Sequence, residues 1–434
     1  MHNMVIRVTG DAGPSQSGDR NARRDRGTGR GMNRNLRIAA AILAFALPVT
    51  LVGCSQSDQA AKAASKKKAA APAPIVKITP VANARSLPVT TEITAQSSNG
   101  AVYAVTLTNS NGQAVSGAFR PDDSSWVPSA SLKFGQTYTA AVSAINGAGK
   151  VTTTTSKFTT MAAPKTPDIH SSINVADEKT YGVGMPIVLD FGAGIPDKQK
   201  AAVERRLFVT SAPAQIGAWR WYGDRELMYR PRSYWKPGTT VQVRTALAGL
   251  PIGNRVIDKD RTATFTIGRD MHFDVTNKNH MLTITSNGKV IKRYPISMGK
   301  PSTPSWSGRF VIMSQQYYTV FNTMGQPGGG YITPVNYAER LTWSGTYFHS
   351  APWSVYAQGR FNVSHGCVNI GPSNAKWVYQ KSLIGDPVSI SGTPVHVAPG
   401  NGWTVWDMSW SEYLQGSALP SPMVQQKVSK IPAV

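Results

Sequence analysis

Residues 361–371 read Phe361-Asn362-Val363-Ser364-His365-Gly366-Cys367-Val368-Asn369-Ile370-Gly371, and His349-Ser350 stand a short way upstream. Cys367 is one of two cysteines in 434 residues. A free thiol, with a pKa near about 8.5, is largely protonated at neutral pH, so a nucleophilic cysteine needs a histidine or a helix N-terminus beside it. Two histidines qualify. His365 lies two positions before Cys367, on the same face if the segment is extended, and His349 can reach in from a neighbouring strand. The base then needs a hydrogen bond to its other ring nitrogen, which a backbone carbonyl such as that of Ser350 provides. Gly366 permits a tight turn that aims the amides around Cys367 at a developing oxyanion. A lone Cys is equally at home as a small buried hydrophobe. Zinc is disfavoured, because no fourth ligand stands at finger-like spacing, and no metal site is expected.

The chain is long enough for two to four domains, and its sparse charge (16% charged, 9% aromatic) points to globular structure over most of it. The formal net charge is +23. No zinc-finger, homeodomain or RNA-binding motif accompanies that charge, and no basic stripe is interleaved with aromatics, so nucleic acid is not the expected partner. A dispersed excess fits a polyanionic envelope surface. Asn33-Arg34-Asn35-Leu36-Arg37, the uncharged residues 38–53 and then Cys54 have the three-part form of a secretory signal. With Pro48 inside it, that apolar stretch is short for a spanning helix, which needs roughly 20 residues. Leu51-Val52-Gly53-Cys54 resembles the bacterial lipoprotein lipobox, which implies cleavage before Cys54 and lipidation of its thiol. The expected location is extracytoplasmic, anchored to the cell membrane through that lipid and facing the cell wall. Residues 1–31 read as a basic extension.

Residues 55–74, with Lys66-Lys67-Lys68 and an Ala-Pro run, lack the bulky apolar groups of a core and read as a tether. From Ile75 to about Met161 the pattern has period two, with turn residues every eight to twelve positions, Asn-Gly and Asn-Gly-Ala-Gly among them, which predicts a small immunoglobulin-like β-sandwich. Residues 165–268 repeat it: Lys133-Phe134-Gly135-Gln136-Thr137 recurs as Lys236-Pro237-Gly238-Thr239-Thr240, and Ser156-Lys157-Phe158-Thr159-Thr160 as Ala263-Thr264-Phe265-Thr266-Ile267. Both modules are expected to act as spacers, with a short helix near residues 198–206. Beyond Arg269, Ser286-Asn287-Gly288-Lys289 between alternating runs predicts a hairpin. Strands are expected at residues 309–313, 317–321 and 387–390, and a helix over 372–382. Gly328-Gly329-Gly330, flanked by Met324 and Tyr331, reads as a lid or a plain surface connection. Trp403, Trp406, Met408, Trp410, Tyr413 and Leu414 are expected to pack back on the catalytic body, with the end from Ala418 onward loose.

Ser364-His365-Gly366-Cys367-Val368-Asn369, preceded by His349, resembles the signature of the YkuD-type L,D-transpeptidases over about residues 271–391. Ser297-Met298-Gly299-Lys300, Thr303-Pro304 and Ser307-Gly308-Arg309-Phe310 are similar to that family's Gly-Lys and Thr-Pro-x-Gly segments. Tyr347-Phe348-His349-Ser350-Ala351-Pro352-Trp353-Ser354 resembles the actinobacterial, mycobacterial-type lipoprotein branch, which also carries tandem immunoglobulin-like domains and a tryptophan-rich C-terminal extension. The resemblance implies that Cys367 attacks the carbonyl of the L-centre third residue of a peptidoglycan tetrapeptide stem and expels D-alanine. His349 would shuttle the proton, held by the Ser350 carbonyl, and the amides of His365, Gly366 and Cys367 would form the oxyanion hole. The thioester would then pass to an acceptor amine, giving a 3→3 cross-link. Tyr331, Ser344, Gly345 and Asn369 would contact substrate. No cofactor is implied, and acylation by carbapenem β-lactams is expected. An L,D-carboxypeptidase using the same acyl-enzyme and a non-catalytic wall-binding lipoprotein are the alternatives. Met324 stands where the family's second lid aromatic is expected.

The expected fold is therefore mainly β. Residues 1–53 form the extension and signal, 54–74 the tether, 75–163 and 164–268 the two immunoglobulin-like sandwiches, 269–395 a β-rich catalytic domain with short helices, and 396–434 the extension.

Overall fold

The computed structural model describes residues 71–120, 123–165, 168–324 and 330–419, together with the backbone of Arg7–Val8. The signal pattern, Cys54, most of the tether, and Gly328 and Gly329 of the glycine run lie outside the described residues. Strands dominate the rest. The helices are short: Asp197–Glu204, Pro372–Lys381, Trp410–Leu414 and a single 3-10 turn at Pro352–Ser354.

In the first module Ala101–Asn109, Thr137–Ile145 and Val151–Thr159 pair antiparallel, with Ala114–Val115 at the edge. Period-two alternation decides what is buried: Tyr138, Ala140, Val142 and Ala144 of the central strand all face inward, toward Trp126 and Phe158. The second module stacks two four-stranded sheets around Phe191, Tyr229, Trp235 and Phe265. The repeated sequence marks an equivalent turn in each module. Gly135 (φ +64°) donates its amide to Met161 O at 2.7 Å, and Gly238 (φ +76°) donates its own to Ile267 O at 2.8 Å. Both glycines take the left-handed conformation that a side chain would strain.

The catalytic region is built on one long sheet. Its strands run in the order Ser314–Asn322, Ile332–Arg340, Tyr347–Ser350, Val368–Ile370, Lys289–Ser297, Met281–Ser286, Met271–Thr276, Pro387–Ser391, Trp306–Val311 and Val395–His396. The hairpin turn is as predicted, with Asn287 (φ 49°) and Gly288 (φ 74°) both left-handed, as a two-residue primed turn requires. Helix Pro372–Lys381 starts with proline in its first turn, where a missing amide costs no intrahelical bond.

Two expectations need correcting. The second module is no free spacer, for it shares one core with Val311 and Met313 of the catalytic region and with Trp403, Val405, Trp406 and Tyr413 of the extension. Contact is so close that a Cβ on Gly182 would lie 2.2 Å from the Asp386 amide nitrogen. Asp386, fully buried, is ion-paired at 2.7 Å with Arg269, the residue that leads into the catalytic strands.

The extension packs on the catalytic body as expected, sharing a core with Val311 and Met313 and accepting at Asp407 Oδ1 from Arg309 N at 2.8 Å, and it packs on the second module as well. Trp406 Nε1 donates to Gly184 O at 2.7 Å and Tyr413 Oη to Met228 O at 2.6 Å. The rings of Trp406, Trp410 and Tyr413 surround the buried Arg230 guanidinium at 4.7, 5.1 and 4.4 Å. No carboxylate is paired with Arg230 among the described residues, so the π faces and carbonyls take the place of a counter-ion. Nor is residue 418 loose: its amide donates to Glu204 Oε2 at 2.8 Å, and Leu419 is buried. Trp406→Ala should cost about 3–5 kcal/mol, the usual loss for emptying a buried aromatic site. The urea midpoint of the full chain reads this, and an unmoved midpoint would place Trp406 outside the shared core.

Candidate active site

Two short buried strands bring the predicted residues together. Tyr347–Ser350 runs parallel to Val368–Ile370, with Phe348 opposite Val368 and His349 opposite Asn369. Cys367 enters the second strand from a bend, beside Gly366 at φ +120°, a value that favours glycine. The bend is held from several sides. Ser364 Oγ donates to Cys367 O at 2.6 Å, Ser305 Oγ donates to Gly366 O at 2.9 Å, and Lys300 N donates to Ser364 O at 2.9 Å.

His349 Nδ1 lies 3.0 Å from Ser350 O, so the bond assigns the ring proton to Nδ1 and leaves Nε2 to accept. Phe321 meets the ring edge-on at 5.3 Å and Trp353 stacks on it at 5.9 Å. Burial between these aromatics pushes the His349 pKa down to about 4, with the Ser350 bond opposing. Burial likewise pushes the Cys367 thiol up to about 12, the Tyr347 amide partly offsetting it. Both shifts favour neutral partners. The resting site is thus thiol and imidazole, not thiolate and imidazolium, and the proton must leave sulfur as the new bond forms.

Cys367, His349, His365, Tyr331 and Asn369 all line one cavity of about 370 Å³. Ser350, Gly366, Ser344 and Gly345 are not part of its lining. Gly345 O accepts from Cys367 Sγ at 3.5 Å, and Asn369 Nδ2 donates to Ser354 Oγ at 3.0 Å. Ser344 is engaged by Asn401 of the extension. His365 is exposed, with Nε2 3.1 Å from Lys300 Nζ and its ring 5.0 Å from that of Tyr331. Burial and then the Lys300 charge lower its pKa. Burial and then the proximity of Cys367 raise that of Tyr331. The Gly366 amide departs from its expected role, since it donates to Ser364 Oγ at 3.1 Å. Among the described residues no protein acceptor takes the amides of His365 and Cys367. Phe321, Trp353 and Ser354 are functional neighbours that sequence reasoning did not assign. Phe321 lay in a predicted strand with no sign of which face it used.

A buried cysteine and a buried, carbonyl-oriented histidine opening on one cavity of a β-rich domain are the groups that an enzyme with a sulfur nucleophile requires. The bacterial Ig domain family model matches residues 84–251, and the L,D-transpeptidase catalytic domain model (YkuD) matches residues 270–390. L,D-transpeptidase 2 of Mycobacterium tuberculosis (strain CDC 1551 / Oshkosh) is 34% identical over 333 residues, 75% of this chain and 80% of that protein. L,D-transpeptidase 5 of Mycobacterium tuberculosis (strain ATCC 25618 / H37Rv) is 32% identical over 410 residues, 92% of this chain and 88% of that one. A solved structure of an LD transpeptidase in complex with imipenem is 33% identical, with a TM-score of 0.45, over 52% of this chain and 100% of that chain. The chain belongs to the YkuD L,D-transpeptidase family, whose members are cysteine-dependent acyltransferases.

Only neutral His349 can accept a proton, and its pKa is depressed from 6.5 to about 4. The acid limb of Cys367 acylation should therefore fall near pH 4, with the rate holding as pH drops through 6.5. A limb near 6.5 would contradict the buried-imidazole assignment. His349→Ala should lose about 100-fold or more in acylation rate, as expected for removal of a general base. An equal or greater loss for His365→Ala would transfer the role to that residue.

Proposed function

We propose that Cys367 carries the acyl group of a peptidoglycan tetrapeptide stem as a thioester and passes it to an acceptor amine, forming a 3→3 cross-link. The observation that supports this most is the opening of Cys367 and His349 onto the same cavity from adjacent strands. Cys367 Sγ attacks the carbonyl of the third stem residue while its proton passes to His349 Nε2. The resulting oxyanion faces the free amides of His365 and Cys367, and strengthening of those bonds in the transition state lowers the barrier. Collapse breaks the peptide bond, and the D-alanine amine leaves with the proton from His349. The acceptor amine then attacks the thioester, gives a proton back to His349, and the sulfur departs and recovers it. No cofactor enters this sequence.

Phe321, Tyr331 and Trp353 wall the cavity with aromatic surface, which favours an amine delivered on a peptide over bulk water. Tyr331 and Asn369, which line the cavity, would contact the stem together with Ser344 and Gly345. The relative bound to imipenem supports Cys367 as a carbapenem target in this chain too. Lipidation at Cys54, supported by Leu51-Val52-Gly53-Cys54, would anchor the enzyme to the membrane and leave its catalytic body outside, facing the wall. Because one acyl chain alone binds only marginally, that anchor requires multiple acylation.

Purified tetrapeptide muropeptides should yield cross-linked dimers with the wild type. Trimmed monomers alone would make the enzyme a carboxypeptidase. Intact-mass measurement should find an imipenem adduct on the wild type and none on Cys367→Ala; a wild type that forms neither dimer nor adduct would sink the enzymatic reading.

A further inference from the structure

The thiol of Cys367 meets the backbone of one short segment: its Sγ donates to Gly345 O at 3.5 Å. Residues 341–346 form a tight turn closed by its own bonds, Leu341 N to Thr346 O at 2.8 Å, Gly345 N to Thr342 O at 3.3 Å and Thr346 N to Thr342 Oγ1 at 2.8 Å. Gly345 sits at φ +98°. Those bonds fix the shape of the turn, and the strands it joins place its two ends relative to the sulfur. Its tip, Ser344-Gly345, lies beyond that pairing.

Asn401 supplies the outside hold. Its Oδ1 accepts from Ser344 N at 2.9 Å and its Nδ2 donates to Ser344 Oγ at 2.8 Å, a two-point grip on the residue before Gly345. Asn401 is itself aimed by neighbours in a turn of the C-terminal extension. Its amide donates to Ala398 O at 3.1 Å, Gly402 N donates to Gly400 O at 2.9 Å, and Gly400 N donates to Thr404 Oγ1 at 2.9 Å. Gly402 is required there, because a Cβ on it would lie 2.7 Å from Leu341 O and 3.0 Å from Thr342 Cα. A few residues on, Trp403, Val405 and Trp406 are locked into the core shared with the second module.

We propose that Asn401 is a positioning residue for the nucleophile: by gripping Ser344 it fixes the adjacent Gly345 carbonyl, and so the direction of the Cys367 Sγ–H bond. The inference deepens the cysteine-acyltransferase reading and rests on it for its effect on rate. Its effect on the thiol itself does not depend on which substrate is used. Amide geometry explains the choice of residue, since only an Asn or Gln side chain presents an acceptor and a donor side by side. The shorter side chain suits the close approach set by Gly402.

The Raman S–H stretching band of Cys367, isolated as the difference between the full chain and its Cys367→Ala variant, reads the thiol contact directly. In Asn401→Ala the band should move to higher frequency as the bond to Gly345 O weakens. Imipenem acylation should slow by about tenfold, within the range caused by sub-ångström misplacement of a reacting group. The folded fraction and the thermal midpoint should stay near wild type. Asn401→Asp keeps the Oδ1 acceptor for the Ser344 amide and should recover most of the band position and rate; it also serves if the Ala variant folds poorly. An unmoved band in the Ala variant, or a moved band with an unchanged rate, overturns the assignment, as does a rate loss matched by the fall in folded fraction. Should the wild type resist imipenem, the acyltransferase reading fails, while the band still decides whether Asn401 orients the thiol.

Discussion

Everything at the site depends on the parallel pairing of Tyr347–Ser350 with Val368–Ile370. That register sets His349 opposite Asn369 and so brings a histidine and a cysteine eighteen positions apart onto one wall of a cavity. A one-residue slip would carry the His349 side chain to the other face of the sheet, away from the cavity. The strands on either side of the pair, Ile332–Arg340 and Lys289–Ser297, run antiparallel to their neighbours. Parallel pairing cannot be closed by a hairpin. The intervening chain therefore has to cross over, and it does so through Pro352–Ser354 and the turns that follow, delivering Trp353 and Tyr356 to the cavity wall on the way.

Burial is then what sets the chemistry. In water the thiol would titrate well before neutral pH is far exceeded and the imidazole would be partly charged; between Phe321, Trp353 and Tyr347 both charged forms are penalised. The consequence is a nucleophile that is quiet at rest. Ionising the pair without substrate would place two opposite charges in a low-dielectric site with few dipoles to receive them, so proton transfer is deferred to the moment when a carbonyl oxygen can take up the charge. The His349 proton on Nδ1, fixed by Ser350 O, leaves Nε2 as the ring nitrogen that can take and return the proton. His365 differs in both respects: it is exposed, and its Nε2 faces an ammonium group that competes for the same lone pair.

What the sequence made legible follows the range of the interactions involved. The Asn287-Gly288 hairpin and the helix that starts at Pro372 are set by a few adjacent residues and stand as predicted, and the recurring segments around Gly135 and Gly238 fold into equivalent turns. The histidine and cysteine were legible because residue chemistry and motif spacing carry them. Strand Ile332–Arg340 was not read, because its Pro334, Asn336 and Glu339 break the apolar alternation; Glu339 is nevertheless buried, bonded to Ser382 and Gln315, with burial pushing its pKa up to about 7. Nor was the second module legible as a partner of the aromatic extension, since hydrophobicity indicates that Trp406 and Tyr413 must be covered but not by what.

The answer to that last question changes what the tandem modules are for. A spacer needs only length, and a flexible connection would serve. Here Gly182 and Gly184 let the second module approach the catalytic strands to van der Waals contact, and Arg269–Asp386 pins the junction between them. The extension crosses from Ser344 to the aromatic cage around Arg230. Three polypeptide segments far apart in sequence thus share one core, so unfolding the second module would expose Val311 and Met313 and release the extension that contacts the nucleophile's supporting turn. The first module has its own separate core and meets the second at its edge, through Ser131 with Asp260, Arg120 over the Phe208 ring, and Val89 and Phe134 against Gly249. Rigidity is therefore concentrated where the thiol must be aimed, and the module next to the catalytic strands belongs to the catalytic body as a matter of packing.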